Sequence, residues 1–291
     1  MERVLVVGAG FMGSGIAQVA AQAGYQVHLV DIEPAVVDRA LKDIRWSVEK
    51  LAAKGVLKES PQQVLARIST EKDLASAAEV DWVIEAAPEE EELKRGIFRE
   101  LDRISRPETI LATNTSSIPI TRLAASTTRP ARVLGLHFFG PVPLMRLVEV
   151  VKGEKTSVEV FERGVSFVQS LGKTPLRVQR DIPGFVMNRI FSAAFREAVE
   201  LVEQGIATPE DIDVGMRLGY GWNVGPFEIA DIAGLDTVAR VGRSMHALGA
   251  EHLALTSDLI ERMVAEGRLG RKVGKGFYRY SPEGKRLPRE E

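Results

Sequence analysis

Residues 4–31 read VLVVGAGFMGSGIAQVAAQAGYQVHLVD, and few folds are open to a chain that begins this way. An apolar run stops at Gly8, glycines follow at 10 and 13, a helical stretch runs to Gly24, and a second apolar run ends on Asp31. The order predicts a strand, a tight turn, a helix and a second strand, the opening unit of a doubly wound α/β sheet. Gly8 permits the turn, Gly10 lets backbone approach a pyrophosphate, and Gly13 lets the helix pack closely on the strand. The amides of the helix N-terminus then face the phosphates. Phe11 and Met12 lie inside this cradle and are expected beside the cofactor. Asp31, eighteen residues past Gly13, can accept hydrogen bonds from both adenosine ribose hydroxyls. A carboxylate there repels a 2′-phosphate, so NAD is expected rather than NADP. FAD uses the same cradle, but no second flavin motif is evident.

At 291 residues the chain exceeds what one ordinary core holds, so two domains are expected. From residue 3 to about 180, runs rich in Val, Ile and Leu alternate with helical segments, as in a parallel sheet covered on both faces. The runs are RVLVVG, QVHLVD, ARIST, DWVIEA, TILATN, RVLGLHFF, RLVEVV and PLRVQ. Between the second and third lies a charged helical stretch longer than a crossover needs, expected to project as a helical pair turning at Gly55. The segment PEEEELKRGIFRELDRI carries its acids at the start, as a helix dipole favours. Its charge run reads by itself as a solvated face. Beyond RDIPGF helical periodicity replaces strand runs, which places a Rossmann-type domain at 1–182 and an all-helical domain at 183–291. SPEGKRLPREE reads as a frayed polar tail.

Basic and acidic residues nearly cancel, 38 against 40, which gives no electrostatic footprint for nucleic acid or an anionic membrane. Cysteine is absent, which excludes disulfides, thiolate nucleophiles and cysteine metal sites. The four histidines, His28, His137, His246 and His252, show no metal-ligand spacing, so no metal is expected. No apolar stretch approaches the roughly 20 residues that span a bilayer. The first strand begins at once, leaving no room for a targeting segment, and a cytoplasmic protein is expected.

Ligands of open α/β sheets lie beyond the carboxyl ends of the strands. Two runs end there in polar residues: TILATNTSS brings Asn114, Ser116 and Ser117, and RVLGLHFF brings His137. Oxidising an alcohol requires a base for the hydroxyl proton while hydride leaves the same carbon, and an imidazole titrates near working pH. An imidazolium in a dry cleft needs an anion behind it, and Glu149 can supply one. The prolines of FFGPVP favour a reversal; if RLVEVV runs back beside the His137 strand, the two residues form a dyad. Ser116 or Ser117 could equally cap the helix begun by SSIPITRLAAS; Ser117 is read as the structural one.

The chain resembles the L-3-hydroxyacyl-CoA dehydrogenases, including bacterial 3-hydroxybutyryl-CoA dehydrogenases, over nearly its full length. GAGFMGSGIA, NTSSIPIT, GLHFFGPVPLMRLVEVV, DIPGFVMNRI, GPFEIADIAGLDT and GRKVGKGFYRY carry the resemblance. It implies His137 as catalytic base, Glu149 as its orienting acid, and Ser116 and Asn188 as hydrogen-bond partners of the reacting oxygen. It implies cofactor contacts at Glu89 and Lys94, coenzyme A contacts at Ser47 and Lys54, and a helical domain that closes over the substrate and forms a homodimer. One position departs: the family usually reads HFFNP, and this chain has HFFGP. Gly140 lacks the amide that asparagine places near the nicotinamide, so cofactor orientation is expected to draw on water or Asn114. The alternatives are a sugar-acid or small hydroxy-acid dehydrogenase of the same fold, and a non-catalytic dinucleotide-binding relative.

Overall fold

The computed structural model describes residues 2–253 and 257–288, which fall into two compact units, Met1–Ile182 and Pro183–Glu291. The first is built on one sheet of eight strands among the described residues, ordered β3-β2-β1-β4-β5-β6-β7-β8. β1 (Arg3–Val7) leads through α1 (Phe11–Gln22) to β2 (Gln26–Val30), and α2 (Pro34–Ala53) with the short α3 (Pro61–Leu65) leads to β3 (Ile68–Glu71). β4 (Trp82–Glu85), α4 (Glu91–Ile104), β5 (Ile110–Thr113), α5 (Ile120–Ala124) and β6 (Val133–Phe138) continue the alternation. β7 (Leu147–Val151), α6 (Val158–Ser170) and β8 (Thr174–Val178) complete the unit. All eight apolar runs form strands, and the pairs are parallel except β6 with β7, which is antiparallel.

Strands with helices on both faces are buried on both sides, which explains why the sequence shows apolar runs rather than alternation. Val4, Leu5 and Val6 of β1, and Val133, Leu134 and Leu136 of β6, are wholly buried. The sheet reverses its order between β1 and β4, since β2 and β3 lie on one side of β1 and β4 to β6 on the other. The carboxyl ends of β1, β4, β5 and β6 therefore share one crevice-forming edge.

The stretch after β2 departs from the expected helical pair. α2 runs for 20 residues, Gly55 follows with φ +67°, and the partner helix α3 has only 5 residues. A capping box at Ser60 and Gln63 starts α3, and Ala66 ends it.

The second unit is helical among its described residues: α7 (Met187–Glu203), α8 (Pro209–Tyr220), α9 (Pro226–Ala233), α10 (Leu235–Ala247) and α11 (Asp258–Ala265). Phe195, Phe227, Leu235, Ile260 and Met263 form its core. GRKVGKGFYRY forms a turn whose aromatics pack inward, the ring centroids of Phe277 and Phe227 lying 4.6 Å apart. The segment after it is not frayed as far as Pro288: Arg286 pairs with Glu210, stacks 3.6 Å over Tyr278 and bridges to Tyr280. Residues 289–291 of the tail lie outside the described residues.

Candidate active site

The turn after β1 has the dimensions a dinucleotide requires. A Cβ at Gly8 (φ +98°) would lie 2.6 Å from the Ala86 carbonyl oxygen, and one at Gly13 only 1.8 Å from the Gly8 carbonyl oxygen. A Cβ at Gly10 would meet nothing within 4 Å, so the space above the turn is open. Gly10 caps α1 without a side-chain hydrogen bond, and the first turn of that helix holds no acid. An anion can thus approach these amides without displacing a protein acceptor. Asp31 directly follows β2 and is held from two sides, accepting from Ala9 N at 2.8 Å and Glu33 N at 3.1 Å. The residues present fit NAD, with Asp31 aimed by the loop that would cradle the pyrophosphate.

At the other end of the edge the two strands anticipated from FFGPVP pair as the dyad requires. β6 and β7 place His137 opposite Glu149, and His137 Nδ1 lies 2.7 Å from Glu149 Oε2. Both side chains are buried, the carboxylate completely. A carboxylate accepts, so Nδ1 carries the proton and Nε2 is the basic nitrogen. The Phe139 ring lies 4.7 Å from the imidazole and walls it. The loop after β6 is fixed by a residue the sequence did not advertise: Lys173, nearly buried, donates to the Val142 and Met145 carbonyl oxygens at 2.6 Å each. Burial pushes its amine below the usual lysine range.

Between these sites the end of β5 is organised by carboxylates. Glu85 closes β4 wholly buried and accepts from Lys94 Nζ at 2.6 Å, Thr113 Oγ1 at 2.7 Å and Ala87 N at 2.7 Å. Lys94, 1% exposed, also donates to the Ala87 carbonyl and lies 3.5 Å from Glu89. The charge run of α4 is therefore not solvated throughout. The readable signal was an acid ending the VIE run nine residues before a lysine.

Glu89 Oε1 gathers Thr115 Oγ1 at 2.6 Å, Ser117 Oγ at 2.9 Å and the amides of Ser116 and Ser117 at 3.0 Å. The Ser116 hydroxyl reaches it at 3.4 Å. Burial alone would raise the Glu89 carboxyl, but Lys94 and these donors hold it below the usual carboxylate range. Ser117 does not cap a helix: α5 begins later, after Pro119, and the Ser117 hydroxyl serves Glu89 instead. Asn114 accepts from Phe138 N at 2.9 Å, tying the end of β5 to the strand that carries His137.

Ser47 is half-buried on α2, and Lys54 is exposed at its C-cap, seven residues later and so on the same helical face. Asn188 is the second residue of α7 in the second unit. Gly140 lies two residues past β6 and carries no amide. No group of three or more His, Cys, Asp or Glu able to hold a metal occurs among the described residues. No described helix is long and apolar enough to cross a membrane.

Comparison with known proteins matches both units. The family model for the NAD binding domain of 3-hydroxyacyl-CoA dehydrogenase covers residues 3–182, and that for its C-terminal domain covers 184–280. A probable 3-hydroxybutyryl-CoA dehydrogenase of Deinococcus radiodurans is 46% identical over 275 residues, 94% of this chain and 99% of the relative. The human mitochondrial hydroxyacyl-coenzyme A dehydrogenase is 42% identical over 288 residues, 96% of this chain and 91% of the relative. Among solved structures, FadB2 of M. tuberculosis superposes with a TM-score of 0.92 at 40% identity, covering 97% of this chain and 99% of that one. The (S)-3-hydroxybutyryl-CoA dehydrogenase of Ralstonia eutropha does so at 0.90 with 41% identity and the same coverage.

Proposed function

From the premise that the chain belongs to the 3-hydroxyacyl-CoA dehydrogenase family and carries out that NAD-dependent oxidation, we propose how its residues divide the chemistry. The substrate is a 3-hydroxyacyl-CoA such as 3-hydroxybutyryl-CoA, and the product, reached reversibly, is the 3-ketoacyl-CoA. NAD, when bound, supplies the acceptor for the hydride that leaves C3. His137 takes the hydroxyl proton on Nε2, and Glu149 stabilises the imidazolium that results, as a carboxylate behind an imidazole does in other proton-relay sites. Ser116 and Asn188 hold the reacting oxygen, Asn188 being contributed by the second domain. In reverse, His137 returns the proton to the ketone oxygen.

Gly8, Gly10, Phe11, Met12 and Gly13 hold the dinucleotide, with Asp31 on the adenosine ribose and Asn114, Glu89 and Lys94 toward the nicotinamide end. The buried Lys94 acts through Glu89. Ser47 and Lys54 receive coenzyme A, the lysine neutralising a phosphate. The first domain, 1–182, binds the cofactor and carries the arm; the second, 183–291, completes the substrate site and forms a homodimer. The protein works in the cytoplasm.

The observation that carries the reading is the 2.7 Å contact between His137 and Glu149 across paired strands at the cofactor edge of the sheet. Following NADH absorbance with 3-hydroxybutyryl-CoA and longer acyl chains tests it. Turnover with NAD in strong preference to NADP is expected; absence of turnover at every chain length overturns the reading.

A further inference from the structure

Gly140 and Phe11 are far apart in sequence and in contact in the fold. A Cβ on Gly140 would lie 2.6 Å from Phe11 Cε1, 3.3 Å from its Cζ and 3.4 Å from Met12 Sδ. The ring thus occupies the space that any side chain at 140 would need. Phe11 opens α1 directly after the cradle glycine, and Gly140 follows His137 by three residues. The ring therefore spans from the phosphate cradle to the end of the strand that carries the imidazole.

Both backbones are anchored. One turn along α1, a Cβ at Gly15 would lie 2.8 Å from the Val142 side chain, so helix and loop are already at closest approach. Lys173 holds the loop from behind through Val142 and Met145. Phe11 is nevertheless 68% exposed. Its open face is a flat apolar surface left uncovered against the loop that begins after His137.

We propose that the Phe11 ring, laid over the bare backbone of Gly140, is an apolar rest for the nicotinamide half of NAD, and that glycine at 140 is what leaves the ring its place. The pair does by aromatic contact what an amide side chain at 140 cannot do here. The inference rests on the NAD reading and makes Phe11 a positioning residue for the ring rather than a phosphate contact. Gly140 is absent from the positive-φ positions, so alanine is conformationally allowed there and acts through the ring it displaces.

The test is fluorescence titration of NADH, and separately of ADP-ribose, which lacks the nicotinamide, into wild type, Phe11→Ala, Gly140→Ala and the double variant. NADH binding should weaken about five- to tenfold in each single variant, the size of one aromatic contact. The double variant should match Phe11→Ala within about twofold, because no ring remains to be displaced. ADP-ribose binding should stay within about twofold throughout. Equal loss of ADP-ribose and NADH, a Gly140→Ala effect that persists without the ring, or unchanged NADH binding in Phe11→Ala would each overturn the proposal. Should Gly140→Ala fail to fold, the two ligands on the exposed-site variant Phe11→Ala decide alone. Failure of wild type to bind NADH at all would instead sink the NAD reading.

Discussion

Two buried carboxylates, one in each unit, show what separates a working acid from a structural one. Glu149 and Asp231 are both wholly inaccessible. Asp231 is surrounded by fixed donors: the amides of Phe277 and Tyr278 at 2.9 Å and the Tyr280 hydroxyl at 3.0 Å. Burial outweighs these bonds and holds its carboxyl above the usual range. Burial, with the Asp231 carboxylate beside it, raises the Tyr280 phenol as well. Gly276 lies so close that a Cβ there would be 2.0 Å from Asp231 Oδ1. The donors to Asp231 are two turn amides and a phenol, so its office is to close the turn of GRKVGKGFYRY onto α9. Glu149 faces an imidazole, a ring that can take up a proton and give it back in the course of a reaction. Burial alone does not mark a functional acid; a partner able to exchange a proton with a substrate does.

Breaking each carboxylate should give opposite signatures. Glu149→Gln leaves an amide oxygen able to accept from Nδ1–H, so kcat should fall about 10²- to 10⁴-fold while the thermal midpoint barely moves. Asp231→Ala strands two amides and a phenol and should cost about 3 kcal/mol or more in denaturant unfolding, with kcat of the folded fraction little changed. Glu89 lies between these extremes, since it shapes the loop that bears Ser116. Glu89→Gln should lower kcat about tenfold and stability by about 1–2 kcal/mol. Its folded pKa is depressed, so its contribution is full above the unfolded value near 4.3 and is lost as pH falls through the lower folded value. The gap in melting midpoint between wild type and Glu89→Gln should accordingly narrow as pH falls below about 4.3. The smallest contrast is between neighbouring hydroxyls: Ser116→Ala should lose about tenfold in kcat, and Ser117→Ala about twofold or less with a loss near 1 kcal/mol.

The strands were readable because branched apolar runs bounded by turns leave little choice, and the dyad conditionally, because two prolines after His137 favour a reversal. The register pairing 137 with 149 followed once the strands were antiparallel, since twelve residues separate them across a short loop. What stayed hidden depends on contacts between distant segments. Lys94 looked like one charge among many because only the folded turn after β4 brings Glu85 and the Ala87 carbonyl onto its amine. Lys173 is a single lysine after a Gly172 turn, and its carbonyl partners lie about thirty residues earlier. Ser117 met the local rule for a helix cap, but the Glu89 carboxylate on the approach to α4 claimed its hydroxyl first. Arg286 sat in a polar tail whose docking on Tyr278 and Glu210 no periodicity announces.

The central claim is that the imidazole and the carboxylate act as one unit on one proton. Single-turnover oxidation of 3-hydroxybutyryl-CoA at saturating NAD, compared among His137→Gln, Glu149→Gln and the double variant, addresses it most directly. The rate of the double variant should match that of His137→Gln, because a carboxylate has nothing to steady once the imidazole is gone. A double variant slowed by the product of the two single effects, or His137→Gln turning over like wild type, would contradict it.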